Sequence, residues 1–151
     1  MANVGPDNET LEFAIARELE AYNFYTALAD RVKSPEIAEV FRELAKEELE
    51  HKAKLELEVL KMGRTLLPAE KILIPDHEYI LLDVDAALDM DYKDILMLGM
   101  EKEEASFRTY VNLLASVDNE ESREVLLALA EEEVKHKLRF ETEYDMLLKK
   151  S

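Results

Sequence analysis

Two short segments of the chain carry the same pair of metal-binding residue types at the same spacing. Residues 44–52 contain Glu48 and His51, and residues 129–137, which lie 85 positions later, contain Glu133 and His136. A Glu and a His three residues apart project from one face of a helix, so each pair can supply two ligands to a metal ion. Two such pairs brought together predict a site for two metal ions.

The position of each pair on its helix distinguishes a metal site from two solvated surface pairs. The chain is rich in Glu, so a Glu three residues before a His is weak evidence alone. In both segments, however, apolar residues recur at steps of three and four, as on the buried face of a helix, and each pair interrupts that face. The two faces are Ile37, Phe41, Leu44, Glu48, His51, Leu55, Val59, Met62 and Leu126, Leu129, Glu133, His136, Phe140, Tyr144, Leu147.

Two further segments offer carboxylates to the same site. Glu18 interrupts the apolar face of the first segment, which also contains Tyr25. The third segment is less regular, with its apolar side marked by Met97, Met100, Phe107, Val111 and Leu114. Relative to these residues Glu104 lies close to the apolar side and Glu101 at its border, whereas Glu103 points further away.

Buried carboxylates must be neutralised, paired or bound to a cation, because an unpaired buried charge is costly. The interrupted faces contain no Lys or Arg, so divalent cations are the better partners. A Glu from each of two helices and Glu-x-x-His from each of two others is the di-metal carboxylate pattern of four-helix bundles. Carboxylate and imidazole ligands suit iron, manganese or zinc. Tyr25 either donates its hydroxyl to a ligating carboxylate or packs in the core.

Composition limits the classes of protein to consider. The 151 residues suit one domain, 1–151, with 48% hydrophobic residues and only 3 Gly. A net charge of −16 argues against nucleic acid or an anionic membrane as partner. No membrane span or signal peptide is apparent, so we expect a cytoplasmic protein. The absence of Cys excludes disulfides, iron–sulfur clusters and a rubredoxin-type iron site within these residues.

The segments predict an all-α four-helix bundle made of two antiparallel helical hairpins. After a loose tail at 1–6, helices are expected at 7–32, 35–62, 92–117 and from about 120 to 149. Ser34 and Pro35 are a strong helix start, and Asp118 or Asn119 is expected to cap the last helix. Residues 64–90, with two Pro and the third His, His77, predict a long crossover between the hairpins, with His77 at the surface.

At these residues the chain resembles the rubrerythrin family of ferritin-like di-iron proteins. Residues 14–25 are similar to the first ligand helix of the family, with Glu18 at its ligand position. Glu48 and His51 match the second helix, and Glu133 and His136 match the fourth. Residues 99–104 resemble the third helix, with Glu101 at the usual ligand position. Rubrerythrins also use a Glu three residues later that moves with redox state, and Glu104 matches it.

The resemblance implies a ferritin-like fold with two iron ions, with manganese or zinc as alternatives. It further implies an oxidoreductase that reduces hydrogen peroxide under oxidative stress. Full rubrerythrins carry a Cys-rich rubredoxin domain that supplies electrons. Because this sequence has no Cys, turnover would need an external electron donor such as a rubredoxin-like protein.

Two other functions remain open at this point. A ferroxidase would oxidise iron with dioxygen and store it, which needs an assembly with a cavity. A non-catalytic bundle would use its metals only to stabilise the core. The apolar surface left by the first helix and the crossover predicts a homodimer.

Overall fold

The computed structural model describes residues 6–64 and 91–150, which form four long helices. Helix α1 spans Pro6–Arg31, α2 spans Pro35–Lys61, α3 spans Tyr92–Leu114 and α4 spans Glu120–Lys150. No strand occurs within these two ranges, and the all-α prediction is confirmed. Nearly all of the predicted tail and crossover, including His77, lies outside the described residues.

Polar residues begin three of the helices. The Ser34 hydroxyl accepts a hydrogen bond from the amide of Ile37, and Pro35 occupies the first turn of α2, where an amide hydrogen is not needed. Asp91 caps α3 in the same way. The Asn119 side chain accepts from the amide of Ser122 and caps α4. The two starts predicted from capping residues, those of α2 and α4, are therefore confirmed.

Two helix ends have identifiable causes. Gly63 follows α2 with a φ of 77°, and the amides of Gly63 and Arg64 return to the carbonyls of Leu60 and Val59. This left-handed cap favours glycine. Helix α3 ends at Leu114, three residues before the predicted end, because the next three amides bond three residues back rather than four. Arg123 donates to the carbonyls of Leu114 and Val117, at the two ends of this turn.

The two helices of each hairpin pack along their length, and the hairpins also meet through α2 and α4. One apolar cluster contains Leu28, Phe41, Leu96 and Phe140, one from each helix. A second cluster contains Leu11, Leu55, Tyr110 and Leu129. Since α1 and α4 run from the second cluster to the first, and α2 and α3 run in the opposite sense, the directions are up, down, down, up. The middle of every helix therefore lies between the two clusters.

In the described residues, no helix combines the length and the apolar character needed to cross a membrane.

Candidate metal centre

Six buried polar side chains meet between the two apolar clusters. Each hairpin supplies two Glu and one His, and none of the six residues is more than 3% exposed. The six are Glu18 from α1, Glu48 and His51 from α2, Glu103 from α3, and Glu133 and His136 from α4.

The six side chains form two overlapping groups of four ligands. Glu18, Glu48, His51 and Glu133 each place a ligand atom within 4.8 Å of the others. Glu48, Glu103, Glu133 and His136 meet the same condition. Glu48 and Glu133 belong to both groups, and a carboxylate has two oxygens. Two cations could thus be bridged by Glu48 and Glu133 and completed at either side by one Glu and one His.

Each imidazole directs its Nδ1 atom at the carboxylates. His51 Nδ1 lies 3.3 Å from oxygens of both Glu18 and Glu133. His136 Nδ1 lies 3.2 Å from Glu48 and 3.5 Å from Glu103. The two rings are stacked, with their centroids 5.6 Å apart. Both histidines thus present the same nitrogen to the centre.

The outer nitrogen of His136 faces a carboxylate outside the cluster. His136 Nε2 lies 3.4 Å from Glu47, on the opposite hairpin. A carboxylate on the outer nitrogen fixes which ring nitrogen is free to bind a metal. Glu47 is therefore placed to orient His136.

Two buried tyrosines face the outer carboxylates. The Tyr25 hydroxyl donates a hydrogen bond of 2.6 Å to Glu103. Tyr110 interacts with Glu18, whose pKa it lowers, although its hydroxyl makes no hydrogen bond of good geometry. Burial raises the pKa of both tyrosines, so each keeps its proton and remains a donor. Tyr25 also stacks on Phe41, so it combines both of the roles expected for it.

The unsatisfied polar atoms of the cluster fit cations. Both oxygens of Glu133, one oxygen each of Glu18, Glu48 and Glu103, and Nδ1 of both histidines are buried without a hydrogen-bond partner. Such atoms are costly to bury unless a metal ion or another partner binds them. Their chemistry, carboxylate oxygen with imidazole nitrogen, suits iron, manganese or zinc.

Electrostatics also favour positive charge at this position. Burial and nearby carboxylates raise the pKa values of Glu18 and Glu48 to about 8 and that of Glu133 well above its usual range. Burial would also raise the pKa of Glu103, but Glu133 and His136 outweigh it and lower the pKa to about 2.

The histidines show the complementary effects. Burial lowers the pKa of His51. Burial would also lower that of His136, but Glu103 and Glu48 raise it to about 11. Without metal, the cluster is neutralised by protons that metal binding must displace.

The structure brings five of the seven predicted ligands together and places the other two elsewhere. Glu18, Glu48, His51, Glu133 and His136 all lie in the cluster. Glu101 is exposed. Glu104 lies at the surface, where it accepts hydrogen bonds from Lys137 and Arg108. The carboxylate that α3 supplies to the cluster is Glu103, which the apolar pattern had placed furthest from the buried side.

The helical phase of α3 explains this correction. The apolar side was inferred partly from Met97 and Val111, which are 44% and 42% exposed. The buried face instead passes through Leu96, Gly99 and Glu103. Glycine and polar residues in the middle of that face hid it, namely Gly99, Lys102, Glu103 and Thr109, because a buried face is usually marked by large hydrophobic residues.

The internal repeat contains the signal that would have found Glu103. The shift of 85 positions that relates the two Glu-x-x-His segments also carries Glu18 to Glu103 and Tyr25 to Tyr110. The two hairpins thus repeat the complete set of ligands and tyrosines. Three residues after Glu103 stands Ser106, so the movable Glu of rubrerythrins has no counterpart at that position. The cluster contains six side chains that could bind metal, where seven were predicted.

The chain is similar to known proteins along most of its length. The rubrerythrin family profile matches residues 9–144. The structure of a hypothetical protein from Pyrococcus furiosus has 27% sequence identity and a TM-score of 0.70, with 99% of this chain and 94% of that chain covered. Among curated proteins, none matches.

The fold is also that of a manganese catalase. Two structures of KatB, a manganese catalase from Anabaena, have TM-scores of 0.67 and 0.64 at 17% and 19% identity. Each match covers 97% of this chain and 76% of the catalase chain. At these identities the likeness concerns the ferritin-like bundle alone.

Proposed function

Because this chain belongs to the rubrerythrin family, we propose that it is a non-haem di-iron oxidoreductase that reduces hydrogen peroxide with electrons from an external donor. The observation that carries the proposal is the pair of four-ligand groups that share Glu48 and Glu133. Two iron ions bound there would supply the two electrons that convert one peroxide, with two protons, to two waters.

The residues around the centre would hold its ligands in place and keep water out. The Tyr25 hydroxyl holds one oxygen of Glu103 and leaves the other toward His136. Glu47 orients His136 from the opposite side. The two apolar clusters cover the site above and below, and this dry surrounding strengthens each charge interaction inside it.

The electrons for peroxide reduction would come from a separate donor protein. These 151 residues contain no Cys and thus no ligands for a rubredoxin-type iron site. A rubredoxin-like protein is the proposed donor. A homodimer in the cytoplasm remains a prediction.

A second candidate, catalase activity, follows from Ser106. With no Glu at that position to move with redox state, the six side chains of the cluster would hold the ions in both states, and peroxide could serve as both oxidant and reductant without an external donor. In that reaction two peroxides give two waters and one dioxygen.

The test starts from apoprotein loaded anaerobically with Fe(II) or Mn(II). Peroxide consumption is followed with and without a chemical reductant, and evolved dioxygen is measured with an electrode. We expect consumption that depends on reductant, without dioxygen evolution. Evolution of dioxygen without reductant would instead support the catalase.

The ferroxidase and the non-catalytic bundle are separated in the same experiment. Faster oxidation of Fe(II) by dioxygen than by peroxide would favour the ferroxidase, and a loaded centre that reacts with neither would indicate a structural metal.

His136→Ala tests the assigned site, since it removes one ligand of a single four-ligand group and should lower the number of bound iron ions by one. Two bound iron ions in that variant would contradict the assigned site.

A further inference from the structure

A cleft between α3 and α4 has two residues of the buried cluster in its wall. It has a volume of about 210 Å³, and Glu103 and Glu133 are among the residues that line it. Glu133 is fully buried, and neither of its oxygens has a hydrogen-bond partner. The cleft therefore borders a residue whose carboxylate oxygens lack partners.

An outer hollow of about 430 Å³ adjoins this cleft. The two cavities share Glu104, Lys137 and Glu141 in their walls. The outer one adds Glu101 and Asp145, so its polar wall is mainly acidic. Acidic walls around a concave surface raise the local concentration of cations.

An ion pair between helices lies where the cavities join. Lys137 Nζ is 3.0 Å from Glu104, and Glu104 is also held by Arg108 at 2.7 Å. Both side chains of the Lys137–Glu104 pair are partly exposed, so the pair can separate without disturbing the core. Lys137 is the one cationic residue in the wall of either cavity as the described residues define them.

We propose that the cleft between α3 and α4 is the entry site through which divalent cations reach the centre. Glu101, Glu104, Glu141 and Asp145 attract the cation, and Lys137 limits its passage. The proposal rests on the metal centre assigned above and gives that centre a route of supply. It also gives Glu104 a role at the mouth of the site in place of the ligand role expected from the sequence.

The internal repeat supplies matched control positions on the α1–α2 side. The shift of 85 positions relates Lys137 to Lys52, Glu104 to Leu19, and Val134 to Leu49. Lys52 pairs with Glu56 of its own helix rather than across to α1. The equivalent side therefore lacks the acidic residue that holds Lys137.

The first experiment changes charge. Apoprotein is mixed with Co(II) alone in a stopped-flow instrument, and the absorbance of bound cobalt reports the rate of uptake. Lys137→Met should speed uptake roughly threefold to tenfold at low ionic strength. The gain should shrink as salt is added. Lys52→Met removes the same charge from the other side and should leave the rate within twofold of the parent.

The second experiment changes size. Val134 lines the cleft between α3 and α4 and is exposed, so Val134→Trp fills the cleft without entering the core. It should slow cobalt uptake several-fold, whereas Leu49→Trp, at the equivalent exposed position of α2, should not. Circular dichroism of all four variants confirms that they are folded.

The final cobalt content separates this proposal from the one on which it rests. Two ions per chain in every variant, with the rate changed only by Lys137→Met and Val134→Trp, supports the entry site. Equal effects at both members of a matched pair, or no effect at either, overturns the entry site and leaves the metal centre intact. A parent protein that binds no cobalt overturns both.

Discussion

Glu103 and its sequence neighbours show how one position on a helix separates a ligand from a surface residue. Successive residues of an α-helix point about 100° apart. Glu101 is exposed, Glu104 pairs with Lys137 at the surface, and Glu103 is buried against His136. The family resemblance and the apolar periodicity each selected a neighbour of the buried residue.

Separate replacement of Glu103 and of Glu101 by Gln tests this assignment. Glu103→Gln keeps the shape of the side chain but removes a charge from one four-ligand group. We expect it to lower the affinity for one metal ion by at least about tenfold, the low end of the loss for supporting residues. Calorimetric titration of apoprotein with Mn(II) measures both ions.

Glu101→Gln is the matched control, because it makes the same chemical change two residues away at an exposed position. Its titration should coincide with that of the parent protein. A larger loss in Glu101→Gln than in Glu103→Gln would restore the ligand that the resemblance implies and reject the one identified by burial.

The positions of the other five side chains in the cluster could be predicted because each interrupts an otherwise apolar face. Glu48 and His51 stand among Leu44, Leu55 and Val59, where a polar residue needs a reason to be buried. Glu103 has Gly99 as its neighbour on the same face, so there was no comparable contrast on α3. The repeat carried the missing information, since Glu18 and Glu103 are equivalent within it.

At the scale of the elements, Gly99 allows α3 to approach α4 closely. A Cβ atom added at this position would lie 2.7–2.9 Å from the ring of Phe140. Phe140 is fully buried, so the ring has little room to move. The equivalent pair in the first hairpin is Ala14 and Leu55. There the residue at the glycine position is larger, and the residue at the phenylalanine position is smaller.

Gly99→Ala should therefore destabilise the protein by about 1–3 kcal/mol, even though alanine favours helix formation. The addition of Phe140→Leu should recover much of this loss, because the double variant reproduces the Ala14–Leu55 pair. Urea unfolding of the two single variants and the double variant gives the coupling energy. Additive effects would show that the ring and the glycine do not interact as described.

The helix starts followed from sequence more closely than the helix ends. Ser34, Asp91 and Asn119 each provide a side-chain acceptor at a definite position. The end of α3 has no glycine or proline to mark it and depends on a tightened turn and on contacts from Arg123. These contacts are tertiary, so local sequence does not contain them.

At the scale of the whole molecule, the two hairpins meet across a layer of acidic groups. The pKa of Glu48 is raised to about 8 by burial and by Glu18 and Glu103, whereas an unfolded chain ionises near its ordinary 4.5. Between these values the folded metal-free protein holds a proton that the unfolded chain has released. The contribution of Glu48 to stability therefore falls as pH rises from about 4.5 to about 8.

Glu48→Gln should remove this cost. We expect the metal-free variant to exceed the parent in free energy of unfolding by about 2–4 kcal/mol at pH 8, with most of the gain absent at pH 5. Denaturant unfolding in the presence of EDTA at the two pH values measures the difference. Glu50→Gln, at an exposed position of the same helix, should change little.

With metal bound, the parent should become more stable than Glu48→Gln. We expect bound metal to stabilise the parent by an amount that grows with the logarithm of the metal concentration, whereas Glu48→Gln lacks a carboxylate shared by both four-ligand groups. A variant that is less stable than the parent without metal at pH 8 would mean that Glu48 is not buried as a costly carboxyl.

Because the two sides of the repeat differ, we expect the two proposed metal positions to fill at different rates. A bundle with identical halves would fill both positions at one rate. Here Glu103 and Glu133 line the cleft, whereas Glu18 and His51 belong to the hairpin that carries Leu19 in place of Glu104. We expect the position held by Glu103 and His136 to be occupied first, so that the half-loaded molecule formed during uptake carries its ion there rather than being a mixture of two species.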